Sequence, residues 1–300
     1  MGEFYNPDKL YKGGSRNNSL INKKMIFRVL GVLLFIESAM FLLCAAVSLC
    51  YGEQDYQYFL YTILLNTLVG GVLLICSRGA ENRLTRRDGY CIVTFTWFLF
   101  TLFGMLPFYF SGGILSVTDA FFETMSGFTT TGATILDDIE SLSHGLLFWR
   151  SLTQWIGGLG IVFFTIAVLP IFGGGTIQLF SAEAIGVTHD KTHPRIDVMA
   201  KWLWMIYAIL TIAETVLLMI GGMSFFDAVC HSFSTTATGG YSTKQASVAY
   251  WNSPFIEYVI AIFMILSGIN FSLYFMCLKG KGKRLFQDDE FRWFMKSVSI

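Results

Sequence analysis

Phe128-Thr129-Thr130-Thr131-Gly132-Ala133-Thr134 follows a short helical pattern too brief to cross a bilayer, and its character returns later as Ser234-Thr235-Thr236-Ala237-Thr238-Gly239-Gly240-Tyr241. Each loop is preceded by a helix signal behind a serine that suits an N-cap, 117–128 behind Ser116 and 225–233 behind Ser224. Each is flanked by long apolar runs. A short helix, a return through small residues and a full span on either side describe a re-entrant loop that dips into a membrane. Irregular backbone persists at that depth only where protein buries it or water lines it. Asp119-Ala120 and Asp227-Ala228 lie 108 positions apart, whereas Gly132 and Gly239 lie 107 apart, so the two units align with a single one-residue gap. Two matched loops between matched spans read as a duplicated structural unit.

Outward from the loops, six runs have the roughly 20 apolar residues that a membrane helix needs: 25–51, 57–77, 90–110, 147–171, 201–221 and 254–278. The composition agrees, since 54% of the 300 residues are hydrophobic and only 14% charged. Twenty-one basic residues balance twenty-one acidic ones, which leaves no global positive field to hold nucleic acid. Basic residues gather on alternate connections, among them Lys23 and Lys24, Arg83 to Arg87, Lys191 with Arg195, and Lys281 to Arg284. The connections between carry Glu53, Asp55, Asp137, Asp138 and Glu140. By the positive-inside bias the amino terminus is cytoplasmic and the acidic loops face outward. The fold expected is an all-α integral membrane protein: two leading helices, then repeated units of membrane helix, re-entrant pore loop and membrane helix. Its divisions fall at 1–24 (cytoplasmic segment), 25–89 (leading helices), 90–171 (first pore repeat), 172–200 (cytoplasmic connection), 201–278 (second pore repeat) and 279–300 (cytoplasmic connection and the start of a third repeat).

Threonine and glycine suit the binding of a dehydrated cation. Glycine permits the φ > 0 geometry that turns successive carbonyls one way, and threonine adds a hydroxyl on a stiff branched side chain. The candidate ion ligands are therefore the backbone carbonyls of Thr130, Thr131 and Gly132 with those of Ala237, Thr238 and Gly239. An intramembrane enzyme would need a nucleophile with its base, or an aspartate pair, inside the spans, and the sequence offers neither. The six cysteines lack Cys-x-x-Cys spacing and read as small buried hydrophobes. Arg150, at the outer end of a span, reads as an ion pair bracing a loop, with Glu123 or Asp138 as partner; direct repulsion of entering cations is the alternative. Glu37 and Glu214 interrupt apolar spans and read as buried hydrogen-bonded contacts, with proton coupling as the alternative. Asn270 faces a cavity below the loops or holds helices together. His189 and His193 belong to a solvated loop, and His231 to the second short helix as a packed or capping residue. Gly157-Gly158-Leu159-Gly160 and Gly173-Gly174-Gly175 read as close packing and a bend, not phosphate turns.

Thr129 to Thr134, the run Phe148-Trp149-Arg150-Ser151-Leu152-Thr153-Gln154-Trp155-Ile156-Gly157-Gly158, Thr238 to Thr243, and Ser267-Gly268-Ile269-Asn270-Phe271 together resemble the Trk family of bacterial potassium-uptake proteins. The two leading helices resemble its TrkH type. The resemblance implies potassium uptake across the bacterial cytoplasmic (inner) membrane through a selectivity filter, with potassium as the bound ion and no organic cofactor. It implies a homodimer in membrane lipid, regulated by a cytoplasmic ring of nucleotide-binding subunits that would dock on the inward connections 78–88, 172–200 and 279–290. It also implies four pore repeats in one chain, of which two are visible, so that the third and fourth loops would lie past Ile300. A glycine rather than a serine at position 132 resembles the potassium-selective pattern; a sodium or mixed alkali-cation transporter of the same architecture is the alternative.

Overall fold

A computed structural model describes residues 21–80, 85–172, 196–278 and 286–298. The readings at His189, His193, Gly173 to Gly175, Lys281, Lys283 and Arg284 lie outside the described residues. The chain forms α1 (Lys23–Cys50), α2 (Tyr56–Cys76), α3 (Arg86–Gly104), α4 (Leu106–Phe110), α5 (Val117–Phe128) and α6 (His144–Phe172). These are followed by α7 (Ile196–Ile220), α8 (Phe225–Thr236), a 3-10 turn (Ser247–Trp251), α9 (Pro254–Gly268), α10 (Phe271–Leu278) and α11 (Asp289–Val298). Among the described residues there is no β-strand, so the fold is all-helical and the returns from α5 and α8 are irregular backbone.

Among the described residues, four helices are long and apolar enough to cross a membrane: Lys23–Cys50, Tyr56–Cys76, Arg87–Phe110 and Lys201–Ile220. The expected span 90–110 is jointed at Met105, because Pro107 has no N–H to donate and its ring crowds the preceding turn. The expected span 147–171 lies within α6, which breaks at Gly160 (φ 47°, ψ −132°). The expected span 254–278 is two helices. Ile269 is extended (φ −75°, ψ 139°) after Gly268, and the Leu266 carbonyl left by the break accepts from Tyr274 Oη at 2.7 Å.

Packing follows from which side chains each helix presents inward. On α2 the buried residues Phe59, Thr62, Asn66 and Gly70 form one stripe spaced three or four apart, and this stripe packs on α1. Its other faces expose Leu60, Tyr61, Leu64, Leu68, Val72 and Ile75, as a lipid-facing helix does. The hub of the first unit is Trp149 on α6, fully buried. It meets Phe41 of α1 at 4.5 Å between ring centroids and Phe128 of α5 at 5.9 Å. Its indole N–H donates at 2.8 Å to the Gly104 carbonyl, which the end of α3 leaves free. A smaller core around Leu218, Ala228, Ile256, Ile260 and Phe263 joins α7, α8 and α9.

Both short helices begin where the serines predict. Ser116 Oγ accepts from Asp119 N at 3.4 Å and Ser224 Oγ from Asp227 N at 3.0 Å; Ser224 also donates to Asp227 Oδ2 at 2.7 Å. Helix α5 ends where expected, whereas α8 runs three residues past the predicted Phe233, to Thr236. Loss of an N-cap costs about 1 kcal/mol. Ser224→Ala should therefore lower the thermal midpoint of the detergent-solubilised protein more than Ser116→Ala, in the order of the two cap lengths. Equal or reversed shifts would show that the caps do not carry these helices.

Candidate functional site

The two loops are built to one plan at an offset of 108 throughout. The C-caps are Thr129 and Ala237. Thr130 and Thr238 follow in the left-handed region (φ 53° and 56°), and Gly132 and Gly240 share positive φ (73° and 87°). Thr130 N donates to Gly127 O at 3.0 Å as Thr238 N does to Thr235 O at 2.9 Å. Thr131 N donates to Ser126 O at 3.0 Å as Gly239 N does to Ser234 O at 2.9 Å. The one-residue gap expected from the sequence is therefore absent. Gly132 corresponds to Gly240, and Ala237 corresponds to Thr129, the residue that closes the helix. The sequence comparison paired the wrong glycine, because Gly239-Gly240 offers two and only backbone torsion tells them apart. Of the six candidate ligands, Ala237 is thus a buried helix cap (φ −79°, ψ −6°), and its α-carbon and methyl lie against Gly158.

A β-branched residue at positive φ is strained by about 1 to 3 kcal/mol and persists only where its surroundings hold it. Those surroundings are visible. A Cβ built on Gly132 would run into the carbonyl oxygen of Gly239, so the two loops touch backbone to backbone. Gly157 meets the Phe128 carbonyl equally closely, and Gly158 meets Ala237. The glycines of α6 thereby seat the ends of both short helices, as close packing predicts.

A polar scaffold stands behind the loops. Arg150 Nε donates to Glu123 Oε1 at 2.7 Å, with both side chains buried. Its Nη1 donates to the Ser242 carbonyl at 3.0 Å, and its guanidinium lies 3.6 Å from the centroid of the Tyr241 ring. Glu123, and not Asp138, is the partner. Glu123 also accepts from Thr134 Oγ1 and Ile135 N, each at 3.0 Å, which fixes the return of the first loop. The equivalent residue 108 positions on is His231, whose Nε2 meets Ser242 Oγ at 3.0 Å while Nδ1 meets the Asp227 carbonyl at 2.8 Å. Both short helices therefore hold their own loop through a hydroxyl, one by carboxylate and one by imidazole. Tyr241 Oη donates to Glu123 O at 2.8 Å and reaches Ala133 O at 3.3 Å, tying the second loop to the first.

Glu37 accepts from Asn66 Nδ2 at 3.0 Å between α1 and α2, and Glu214 on α7 meets Thr236 Oγ1 at 3.4 Å. Both carboxylates are buried and hydrogen-bonded through one oxygen, Glu214 to the last residue of α8. Asn270 sits in the break between α9 and α10 with Nδ2 3.3 Å from Glu290 Oε2. All six cysteines are free, but only Cys44 and Cys230 are buried; Cys50 and Cys76, the last residues of α1 and α2, are exposed. In the acidic segment between α5 and α6, Asp137 and Asp138 are exposed, while Glu140 pairs with Lys244 at 3.2 Å. Hydrogen bonds from Lys244 and from Gln245 N hold the Glu140 carboxyl below its usual range. Glu140 thus stays charged to lower pH, and its charge is matched by a cation.

Tandem units in which membrane helices enclose a re-entrant helix and an irregular return define an integral membrane protein of the pore-loop class. The chain belongs to the TrkH family, described as cation transport protein, whose profile matches residues 55–297. It is 43% identical over 275 residues to the Trk system potassium uptake protein TrkH of Salmonella typhimurium, covering 91% of this chain and 57% of that one. It is 35% identical over 275 residues to the Trk system potassium uptake protein TrkG of Escherichia coli K12, with the same coverage. The crystal structure of the potassium transporter TrkH from Vibrio parahaemolyticus matches with a TM-score of 0.77 at 38% identity, covering 91% of this chain and 56% of that one. The chain thus spans a little over half the length of these relatives. The family resemblance read from the loop and helix motifs is borne out, and the family description is of transport.

Proposed function

We propose that the chain supplies two loops of a potassium-selective pore in the bacterial inner membrane, and that it serves potassium uptake. The ion is stripped of water between backbone carbonyls. The first loop contributes Thr130, Thr131 and Gly132, as the sequence suggests; the second contributes Thr238, Gly239 and Gly240, with Ala237 displaced to the helix cap. One observation carries this reading above the others: the paired threonine and glycine torsions recur at a fixed offset, and the two loops meet at Gly132 and Gly239. Carbonyls and hydroxyls held by a scaffold are what a dehydrated alkali cation requires. An inside-negative potential drives uptake with about 2.3 kcal/mol per 100 mV for each monovalent ion.

The amino terminus lies in the cytoplasm on this reading, and Asp137 and Asp138 gather cations at the outer entrance in a salt-dependent way. Assembly as a homodimer and control by a cytoplasmic nucleotide-binding ring belong to the same proposal. Relatives named as parts of a Trk system support it.

The test is rubidium uptake by the complete protein in liposomes, with potassium and sodium as competitors. Potassium should compete as well as rubidium, and sodium at least about tenfold less, a difference of about 1.4 kcal/mol. Equal competition by sodium would favour the mixed alkali-cation reading, and absence of flux would end the transport reading.

A further inference from the structure

We infer that Gln154 is a positioning residue for ion selection: it fixes the spacing between the two loops from behind, and so sets the width of the site they share. The inference rests on the pore reading above. Gln154 lies on α6, in the first unit, and is fully buried. Among the described residues, the hydrogen bonds of its side chain go to the second unit: Oε1 accepts from Ser234 Oγ of α8 at 2.7 Å and from Tyr241 N at 3.2 Å. A backbone N–H can only donate, so the atom facing Tyr241 must be the amide oxygen, and the orientation of the amide is thereby decided. Nε2 then points to the other side, where it has no hydrogen-bond partner among the described residues.

The nitrogen lies on the side of Gly132, and the face of the amide lies against Gly239. A Cβ built on Gly239 would run into the Gln154 amide carbon, and its nitrogen and oxygen would lie 2.6 Å and 2.5 Å away. A Cβ on Gly132 would lie 3.7 Å from Nε2. The amide is therefore wedged against the point where Gly132 and Gly239 meet. A buried donor without a partner costs about 1 to 3 kcal/mol, and an apolar side chain of the same length would avoid that cost. Its presence points to a use, namely a planar, oriented spacer whose oxygen anchors Tyr241 while its nitrogen backs the carbonyl junction. A shift of a few tenths of an ångström in the gap between loops changes how well carbonyls replace the water of a given ion, which is why a residue with no contact to the ion can set selectivity.

Rubidium uptake by the complete protein, with potassium and sodium as competitors, tests this in three variants. Gln154→Met keeps length and volume but removes both the anchor and the donor. It should reach the membrane in normal amounts and lose discrimination against sodium by about tenfold. Gln154→Glu keeps an acceptor for Tyr241 N but replaces the nitrogen that backs the junction, and should recover part of the discrimination that the methionine variant loses. A protein needing only a filled space would show the opposite order. Should the methionine variant be missing from the membrane, Ser234→Ala replaces it as the readout. It removes one of the two bonds that hold the amide and should reduce discrimination by about threefold. Wild-type ratios in Gln154→Met, or in Ser234→Ala where that is the readout, overturn the role of Gln154. If the wild-type protein itself fails to prefer potassium, the pore reading falls and the inference with it; if only the variants match a selective wild type, the pore reading stands.

Discussion

Gly132→Val should reduce cation uptake by about a hundredfold or more while the protein still inserts in the membrane. Two effects add. At φ 73° a β-branched side chain carries about 1 to 3 kcal/mol of backbone strain, and its Cβ would collide with the Gly239 carbonyl. Strain near 3 kcal/mol, if taken up by the conducting arrangement, is already about a hundredfold in population. The collision also means that Gly132→Ser is no gentle exchange of one ligand for another: any side chain at 132 must push the two loops apart. Relaxed selectivity and reduced flux should therefore appear together in the serine variant. Ala237→Ser provides the contrast. Position 237 caps a helix and lies against Gly158, so uptake should fall by less than a factor of about three, under about 1 kcal/mol. If Gly132→Val and Ala237→Ser had similar uptake, the loop register described here would be wrong.

The second large effect concerns the buried ion pair. Arg150→Met leaves Glu123 as a buried charge without its cation, and breaking such a pair costs about 3 to 5 kcal/mol. The loss should show as a lower thermal midpoint in detergent and as loss of uptake, because Arg150 also holds the Ser242 carbonyl. Glu123→Gln should be milder than Glu123→Met. The amide keeps an oxygen for Thr134 or Ile135, whereas methionine leaves both donors without an acceptor. The double variant Glu123→Gln/Arg150→Met removes both charges and should cost less than the two single losses added together. Simple additivity would mean that Arg150 and Glu123 stabilise the loops independently, which the 2.7 Å contact does not allow.

The general architecture was legible because membrane insertion is a matter of composition and length. Runs of apolar residues and two serine caps sufficed to place the helices, and Ser116 and Ser224 sit where their signals put them. The breaks at Met105, Gly160 and Ile269 were not read from hydropathy, since a jointed helix is as apolar as a straight one; Pro107 and the glycines Gly160 and Gly268 were the local signs available. The site was legible in part. Arg150 near Glu123 followed from the cost of a lone cation in a span, which leaves few partners. The pairing of Gly132 with Gly240 was hidden, because identity of letters favours either glycine of a pair. Gln154 was read as part of the family motif but given no role, since an amide in an apolar helix carries no charge to explain. The signal that would have found it is its position: one turn after Arg150, on the face that Gly157 and Gly158 continue toward the short helices.

The bonds of Gln154 and Tyr241 also bear on how the chain is made. The first unit emerges from the ribosome with Gln154 Oε1 and the Ala133 carbonyl waiting for residues that follow some distance later, at Ser234 and Tyr241. Until that second stretch has been translated and inserted, Gln154 Oε1 has neither of its partners, while the Ala133 carbonyl has only Ser126 Oγ of its own unit. Biogenesis of the two halves is therefore interlocked. A ribosome stalled between α6 and α7 should expose a nascent intermediate sensitive to protease and in need of a chaperone at the translocon, and that sensitivity should vanish once α8 and its return are inserted.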